Sequence, residues 1–406
     1  FTTMNISGAS DLTLAGGATL SVDGILKSGA NGAEISGGTG ITTANANADM
    51  VIATGAGDSL TISTPILANG TSSIVKTGAG TLTLSAANTI TGGIYLDEGQ
   101  LNINNAGALG TVASRLTINE GTVIDNTSGG NITIPTKNPV TINGSFTYLG
   151  TSGDLSLPDD AQQNMNMNAD VTITVVANTL KIPKGFGEGG AGTLTKDGDG
   201  TLWLGTNGNS NWYGGLIVNA GVLTGNKDQP EQFAGRGTIT LGATSGSSNA
   251  IIASGSGAYH SGPITVRAGS SGVLAFASYS GTGQWGGTVQ LDHDLVLAAN
   301  GGNMVFSGMI SGASGLIIGS SGSYTISSGN VKSLTNTGTV TLTGDNTFTG
   351  DTVMFSNSGT LALGGVNVLA ASTLDTGSAG NQQVTFTTAG TNTYNIGGLK
   401  GEDNLN

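Results

Sequence analysis

The residues able to do chemistry are few and widely spread. Asp292, His293 and Asp294 stand together in "LDHDLVL", a combination suited to metal binding or acid–base work. In an alternating strand, however, Asp292 and Asp294 share one face and His293 takes the opposite one. The three do not converge, and a solvated edge or corner is expected. His260, in "GSGAYHSGP", sits in a turn-like stretch with no acid or base beside it in sequence. Asp197 and Asp199 in "KDGDG" have the look of a calcium loop. An EF-hand would need a ligand set ending in Glu at position 12. The calcium nonapeptide G-G-x-G-x-D should recur in tandem, and "GGAGTL" (189–194) lacks its Asp. A glycine corner beside an exposed strand is the expectation. No metal, cofactor or catalytic residue is assigned.

Composition bounds what these residues could belong to. Glycine supplies 71 of 406 residues, against a typical ~7%, and only 9% are charged, against about 25% in globular domains. Gly/Ser-rich sequence often stays disordered. Here 37% of residues are hydrophobic and spaced rather than clumped, and there are only 7 prolines, so an ordered β-rich chain is expected. The net charge is −13, and the 12 basic residues are spread thinly, which excludes a phosphate-neutralising patch and nucleic-acid binding. Cysteine is absent, removing disulfides, thiolate metal sites and cysteine nucleophiles together. No apolar run approaches the ~20 residues of a membrane helix. Nor is a signal peptide visible at Phe1, so the sequence reads as processed or as a fragment of a longer chain.

The elements that would position any site come from an internal repeat. "KTGAGTLTLSAANTITGG" at 76–93 returns as "KDGDGTLWLGTNGNSNWYGG" from Lys196 and as "NTGTVTLTGDNTFTGD" from Asn336. Clear copies cover 76–110, 196–223 and 336–363. In each, a glycine opens the strand and another follows one unit later: Gly80 and Gly99, Gly200 and Gly221, Gly338 and Gly359. Leu82 and Leu84 face one way while Thr81 and Thr83 face the other. Runs of Gly, Asn, Ser and Asp break the strands, and these residues tolerate sharp corners. Almost no helix is expected. A propeller blade needs about 40 residues with a fixed motif, which the spacing does not supply. A solenoid needs only an inward apolar row per coil and accepts loops at its corners. The expected fold is one continuous β-solenoid over 1–406. At roughly 20–25 residues per coil and ~4.8 Å per coil, it would be a single elongated rod on the order of 80–95 Å long.

"KTGAGTLTLSAANTITGG" resembles the passenger-associated repeat of bacterial autotransporters: a Gly-rich lead-in, G-T-L-T-L, a polar run with Asn-Thr, then Thr-Gly-Gly. Lead-ins of the same kind occur at "FSGMISGASGLI" (306–317) and "IGGLKG" (396–401). The resemblance implies an all-β, right-handed parallel β-helix, secreted and displayed at a bacterial cell surface. It also implies outer-membrane attachment through a C-terminal segment missing from this sequence.

Against that frame two segments break the repeat and are expected as loop excursions: "LPDDAQQNMNMNAD" (157–170), with Asp159 and Asp160, and "GNKDQPEQFAGR" (225–236). Polysaccharide-acting enzymes also use β-helices, and need clustered carboxylates with an Arg or Lys. Arg115, Arg236 and Arg267 are the only arginines, none beside a carboxylate pair in sequence. Trp203 alternates with Leu202 and Leu204 and should point outward, while Trp212, Tyr213 and Trp285 lie at Gly-rich corners. These four are the candidate surface contacts, able to stack on a sugar or pack on a partner. The plainer alternative is that they cover neighbouring coils.

The sequence therefore predicts a non-catalytic structural or adhesive solenoid without cofactors. Its expected partners are a host or glycan surface, or other copies associating end to end or side by side. A subunit of an extracellular fibre, sheath or surface array is the alternative, and a polysaccharide-acting enzyme is the third reading.

Overall fold

The computed structural model describes residues 2–29, 31–135, 138–159, 169–183, 192–205, 214–225, 236–255, 257, 259–327, 329–355, 359–377 and 382–402. The chain divides into two compact units, Phe1–Gly187 and Glu188–Asn406. Among the described residues there is no helix, and each unit is a stack of coils whose strands pair in parallel with those of the next coil.

In the first unit, one sheet runs through Thr3–Ser7, Gly24–Ser28, Met50–Thr54, Ser73–Thr77, Gly93–Leu96, Leu116–Ile118 and Val140–Ile142. A second takes Leu12–Leu14, Gly32–Gly37, Ser59–Ile62, Thr81–Leu84, Gln100–Ile103, Thr122–Asp125, Phe146–Tyr148 and Val171–Val175. A short third sheet holds Ile132–Thr133, Leu155–Ser156 and Thr179–Ile182. Period-two alternation turns one side chain in two inward, and parallel register stacks those side chains into columns. One such column is Ala33, Leu60, Leu82, Leu101, Ile124, Tyr148 and Val175, every member buried. Each fully buried aliphatic side chain in it contributes about 1.5–3 kcal/mol. A one-residue slip would turn the whole set outward, so the register is strongly specified.

In the second unit the first sheet runs Leu194–Asp197, Leu216–Val218, Ile239–Leu241, Ile264–Val266, Val289–Leu291 and Ile310–Gly312. The second begins Thr201–Leu204, Gly221–Gly225, Ala250–Ser254, Leu274–Ser278, Leu295–Ala299 and Leu316–Ile318. It continues through Thr352–Met354, Leu369–Asp375 and Ile396–Lys400. The third holds Tyr259–His260, Gly281–Trp285, Gly302–Phe306, Thr339–Leu342, Thr360–Leu363 and Gln383–Phe386. Its principal inward column is Leu202, Leu223, Ile252, Phe276, Leu297, Ile318 and Met354. One element departs from the parallel pattern. Ser323–Ser327 and Asn330–Ser333 form an antiparallel hairpin inserted within one coil, between its strands Leu316–Ile318 and Thr339–Leu342.

Candidate functional site

The lysine that opens the repeat lies inside the coil. Lys76 is two residues from Ile74 in Ser73–Thr77, so alternation gives it the inward face. It occupies a column between Ile52 and Leu96 and is fully buried. Its ammonium turns to the corner and donates to the carbonyl oxygens of Thr77 (2.9 Å), Gly78 (2.5 Å) and Glu98 (2.9 Å). Lys196 repeats this arrangement in the second unit, donating to Asp197 (2.9 Å), Gly198 (2.5 Å) and Ala220 (2.9 Å). Lysine carries three donors and no acceptor, and three carbonyls use all of them. Burial pushes Lys196 down to about 7, with Asp197 and Asp199 opposing it, and Lys76 down to about 8, with Glu98 opposing it. The three-carbonyl geometry is that of the charged ammonium.

The paired glycines of the repeat follow from this cage. A Cβ on Gly99 would stand 2.4 Å from the Gly78 oxygen, 2.5 Å from the Gly80 oxygen and 2.8 Å from Lys76 Nζ. On Gly221 the distances are 2.4 Å to the oxygens of Gly198 and Gly200 and 2.8 Å to Lys196 Nζ. Both glycines also have positive φ, +76° and +70°. Two positions 122 residues apart thus require glycine for the same reasons. Two variants of the cage occur. Lys27 donates to the Ser28 carbonyl and pairs with Asp58 at 3.3 Å, both side chains buried. In the third copy Leu334 holds the lysine's sequence position and buried Asn336 that of Gly78. The Asn336 amide nitrogen lies against Gly359 as Lys76 Nζ lies against Gly99, and its Oδ1 accepts the Ala299 N–H at 3.1 Å.

The asparagine of the Asn-Thr pair is also internal. Asn88 accepts the Ile66 N–H (2.8 Å) and donates to the Ala108 carbonyl (2.7 Å), so one side-chain amide ties the coils on either side. Asn346 does the same with the Ile310 N–H (2.8 Å) and the Val368 carbonyl (2.9 Å). Buried backbone groups must find partners, and at these corners the amide supplies what a strand would.

Lys76, Lys196, Gly99, Gly221, Asn88 and Asn346 fall where a family model matches. The model for the passenger-associated-transport-repeat covers residues 74–103, 190–224 and 334–354. The chain carries passenger-associated-transport-repeats. No curated protein and no solved structure matches it. Within these passenger repeats the polar signature residues hold coil to coil, and the matched segments in the two units do so with the same atoms.

The second unit also has an apolar outer face. Val222, Ile251, Ala275, Val296, Ile317 and Val353 lie in register on the side of the sheet away from the coil interior. Beside them run Thr224, Ala253, Ala277 and Ala298, a row headed by Trp203. Tyr324, Ile326 and Leu334, from the hairpin and the residue after it, cover much of this face and form a second core with it. The Thr201 hydroxyl donates to the Thr325 carbonyl, fixing the hairpin to the sheet. The sequence signal was available: "GVLTG", "AIIAS", "LAFAS" and "LVLAA" are continuous apolar or small-residue runs, the pattern of strands buried on both faces.

The sequence-predicted residues do not assemble into one site. Trp203 is half-buried between buried Leu202 and Leu204, as alternation requires. Trp212 and Tyr213 lie outside the described residues, as do Asp160 and most of both excursions. Trp285 is not a surface contact. It ends the strand Gly281–Trp285, is only 1% exposed, and packs with Phe276 (4.4 Å, edge-on) and Phe306 (6.1 Å, stacked). Inward register with Phe306 one coil later overrides its glycine-rich surroundings. His260 belongs to the short strand Tyr259–His260 rather than a turn, and is buried beside Trp285. Asp292 and Asp294 are exposed at a corner. Asp292 accepts from Gln290, Asp294 caps the Gly315 N–H, and His293 Nδ1 meets the Asp294 carbonyl. Asp197 Oδ1 accepts the Gly198 N–H at the corner built around Lys196. Asp159 is exposed. Arg115 donates to Thr141 and Arg267 to the Gly242 carbonyl. Among the described residues no three His, Asp or Glu side chains gather as metal donors.

Proposed function

We propose that this chain is a non-catalytic extracellular β-solenoid, an autotransporter passenger that extends and presents contacts at a bacterial cell surface. The observation that carries this reading is the inward use of its polar repeat residues. Lys76, Lys196, Asn88 and Asn346 each donate to a carbonyl of the next coil, so the repeated chemistry builds the solenoid. The matched passenger repeats support secretion to the surface. Adhesion would then fall to outward rows such as Thr195, Ile217, Thr240, Thr265, Gln290 and Ser311, which present a regular, mostly hydroxyl-bearing ladder. Such a ladder suits many weak contacts along a surface.

Two assays on the same preparation test this. Antibodies against the purified chain should label intact cells of the source bacterium, and the chain should be retained on host-matrix or glycan-coated surfaces without turnover of a polysaccharide panel. Labelling only after permeabilisation would overturn the surface reading. Release of reducing or unsaturated sugar ends would overturn the non-catalytic one.

A further inference from the structure

We propose that the 323–333 hairpin is an exchangeable cover, and that the face beneath it docks the same hairpin of a second copy of this chain. The face is an apolar ladder, Val222, Ile251, Ala275 and Val296, beside the small residues Ala253, Ala277 and Ala298. Such a ladder has to be covered, and the chain itself shows what fits it: Tyr324 and Ile326 from the hairpin and Leu334 just after it.

Three features make the cover removable. An antiparallel pair of this size is marginally stable alone and depends on the face for its order, so it opens as a unit. The Tyr324 hydroxyl is buried with no hydrogen-bond partner among the described residues, a cost that the closed state bears and the open state does not. The stems pass through Gly319 at φ +82° and Gly322, and their backbone bonds, Ser320 N–H to Leu334 and Leu334 N–H to Gly322, travel with the hairpin. Once lifted, the hairpin leaves an exposed apolar ladder whose best complement is another copy of itself. Exchange restores every contact and requires no new surface, the usual route to swapped dimers. High local density of copies, as the proposed surface role would give, favours it.

The test uses the full chain, which has no cysteine and so no competing disulfide cross-links. In one variant residues 323–333 are replaced by a short Gly-Ser turn, and a fluorescently labelled peptide of residues 319–336 is added. Saturable binding is expected, weakened roughly tenfold or more by adding Ile251→Asp, which sets a carboxylate under the peptide. Intact chain should take up the peptide only over long incubation and form dimers at high concentration in sedimentation. If the deletion variant does not fold, Tyr324→Ser with Ile326→Ser loosens the cover in the intact chain and should bind the peptide in its place. No peptide binding by whichever variant keeps the parent's β-sheet circular dichroism would overturn the proposal. So would an intact chain that stays monomeric at every concentration. Either failure leaves the proposed structural role standing, because that role does not depend on self-association.

Discussion

Gly99→Ala and Gly121→Ala form a matched pair within the first unit. The two glycines share nearly the same backbone, φ +76° and +74°. They differ in surroundings: a Cβ at Gly121 meets nothing within 4 Å, while one at Gly99 enters the lysine cage. The common cost is left-handed backbone for an L-residue, about 1–2 kcal/mol. Part is offset, by about 0.4–1 kcal/mol, because alanine also restricts the unfolded chain. Gly121→Ala should therefore destabilise by about 1 kcal/mol. At Gly99 the added carbon would lie 2.4 and 2.5 Å from two backbone oxygens. Those oxygens belong to stacked corners, so relief has to come from displacing the Lys76 ammonium or the Gly78 carbonyl it holds. Losing one charged hydrogen bond costs about 1.5–3 kcal/mol, for a total of about 2.5–4 kcal/mol. Native-state hydrogen exchange at residues 93–103 reads this locally. Gly121→Ala should speed exchange by roughly fivefold, and Gly99→Ala by two to three orders of magnitude. Equal acceleration in the two variants would refute the cage as the reason for glycine.

Asn88→Leu keeps the side-chain volume close but strands the Ile66 N–H and the Ala108 carbonyl. A loss of about 2–4 kcal/mol is expected, with the Ile66 amide becoming one of the faster-exchanging sites of its strand region. Trp285→Ala should destabilise the second unit by about 3–5 kcal/mol in urea unfolding, where a surface-contact residue would leave the midpoint nearly unchanged. Stability should also depend on pH in a defined sense. Lys76 near 8 and Lys196 near 7 lie below the ordinary 10.5, so between pH 7 and 10.5 the unfolded chain binds more protons and stability rises with pH. Burial raises Tyr148 and Tyr324 above the ordinary 10.0, so beyond about pH 10 the unfolded chain loses protons first and stability falls. Denaturant midpoints should climb from pH 7 to about pH 10 and then decline, and a monotonic fall across pH 7–10 would contradict the buried lysines.

Much of the coil interior was legible because alternation is a local property. Leu82 with Leu84 and Leu202 with Leu204 are two apart, and parallel stacking then only repeats the choice. The same parity marks Lys27 with Ile25, Lys76 with Ile74 and Lys196 with Leu194. A charged residue in an inward position reads as an exception until the three carbonyls that receive it are known, and one of those comes from the next coil. Trp285 was illegible for a different reason. Its strand "GTGQW" carries no other large apolar side chain to set the inward face, and its partners Phe276 and Phe306 arrive from other strands. The hairpin combines both difficulties. "SYTIS" alternates like any coil strand, and only the unbroken apolar runs from Gly221–Gly225 to Leu295–Ala299 indicate that it has a second surface to cover.

The account rests on the repeat's lysines being enclosed, and lysine reactivity measures this directly. The native chain would be treated briefly with an amine-acylating reagent at neutral pH and the modified sites mapped by mass spectrometry. Lys27, Lys76 and Lys196 should remain unmodified while half-exposed Lys400 reacts, and all four should react once the chain is unfolded in urea. Acylation of Lys76 and Lys196 in the native chain at the rate of Lys400 would contradict it.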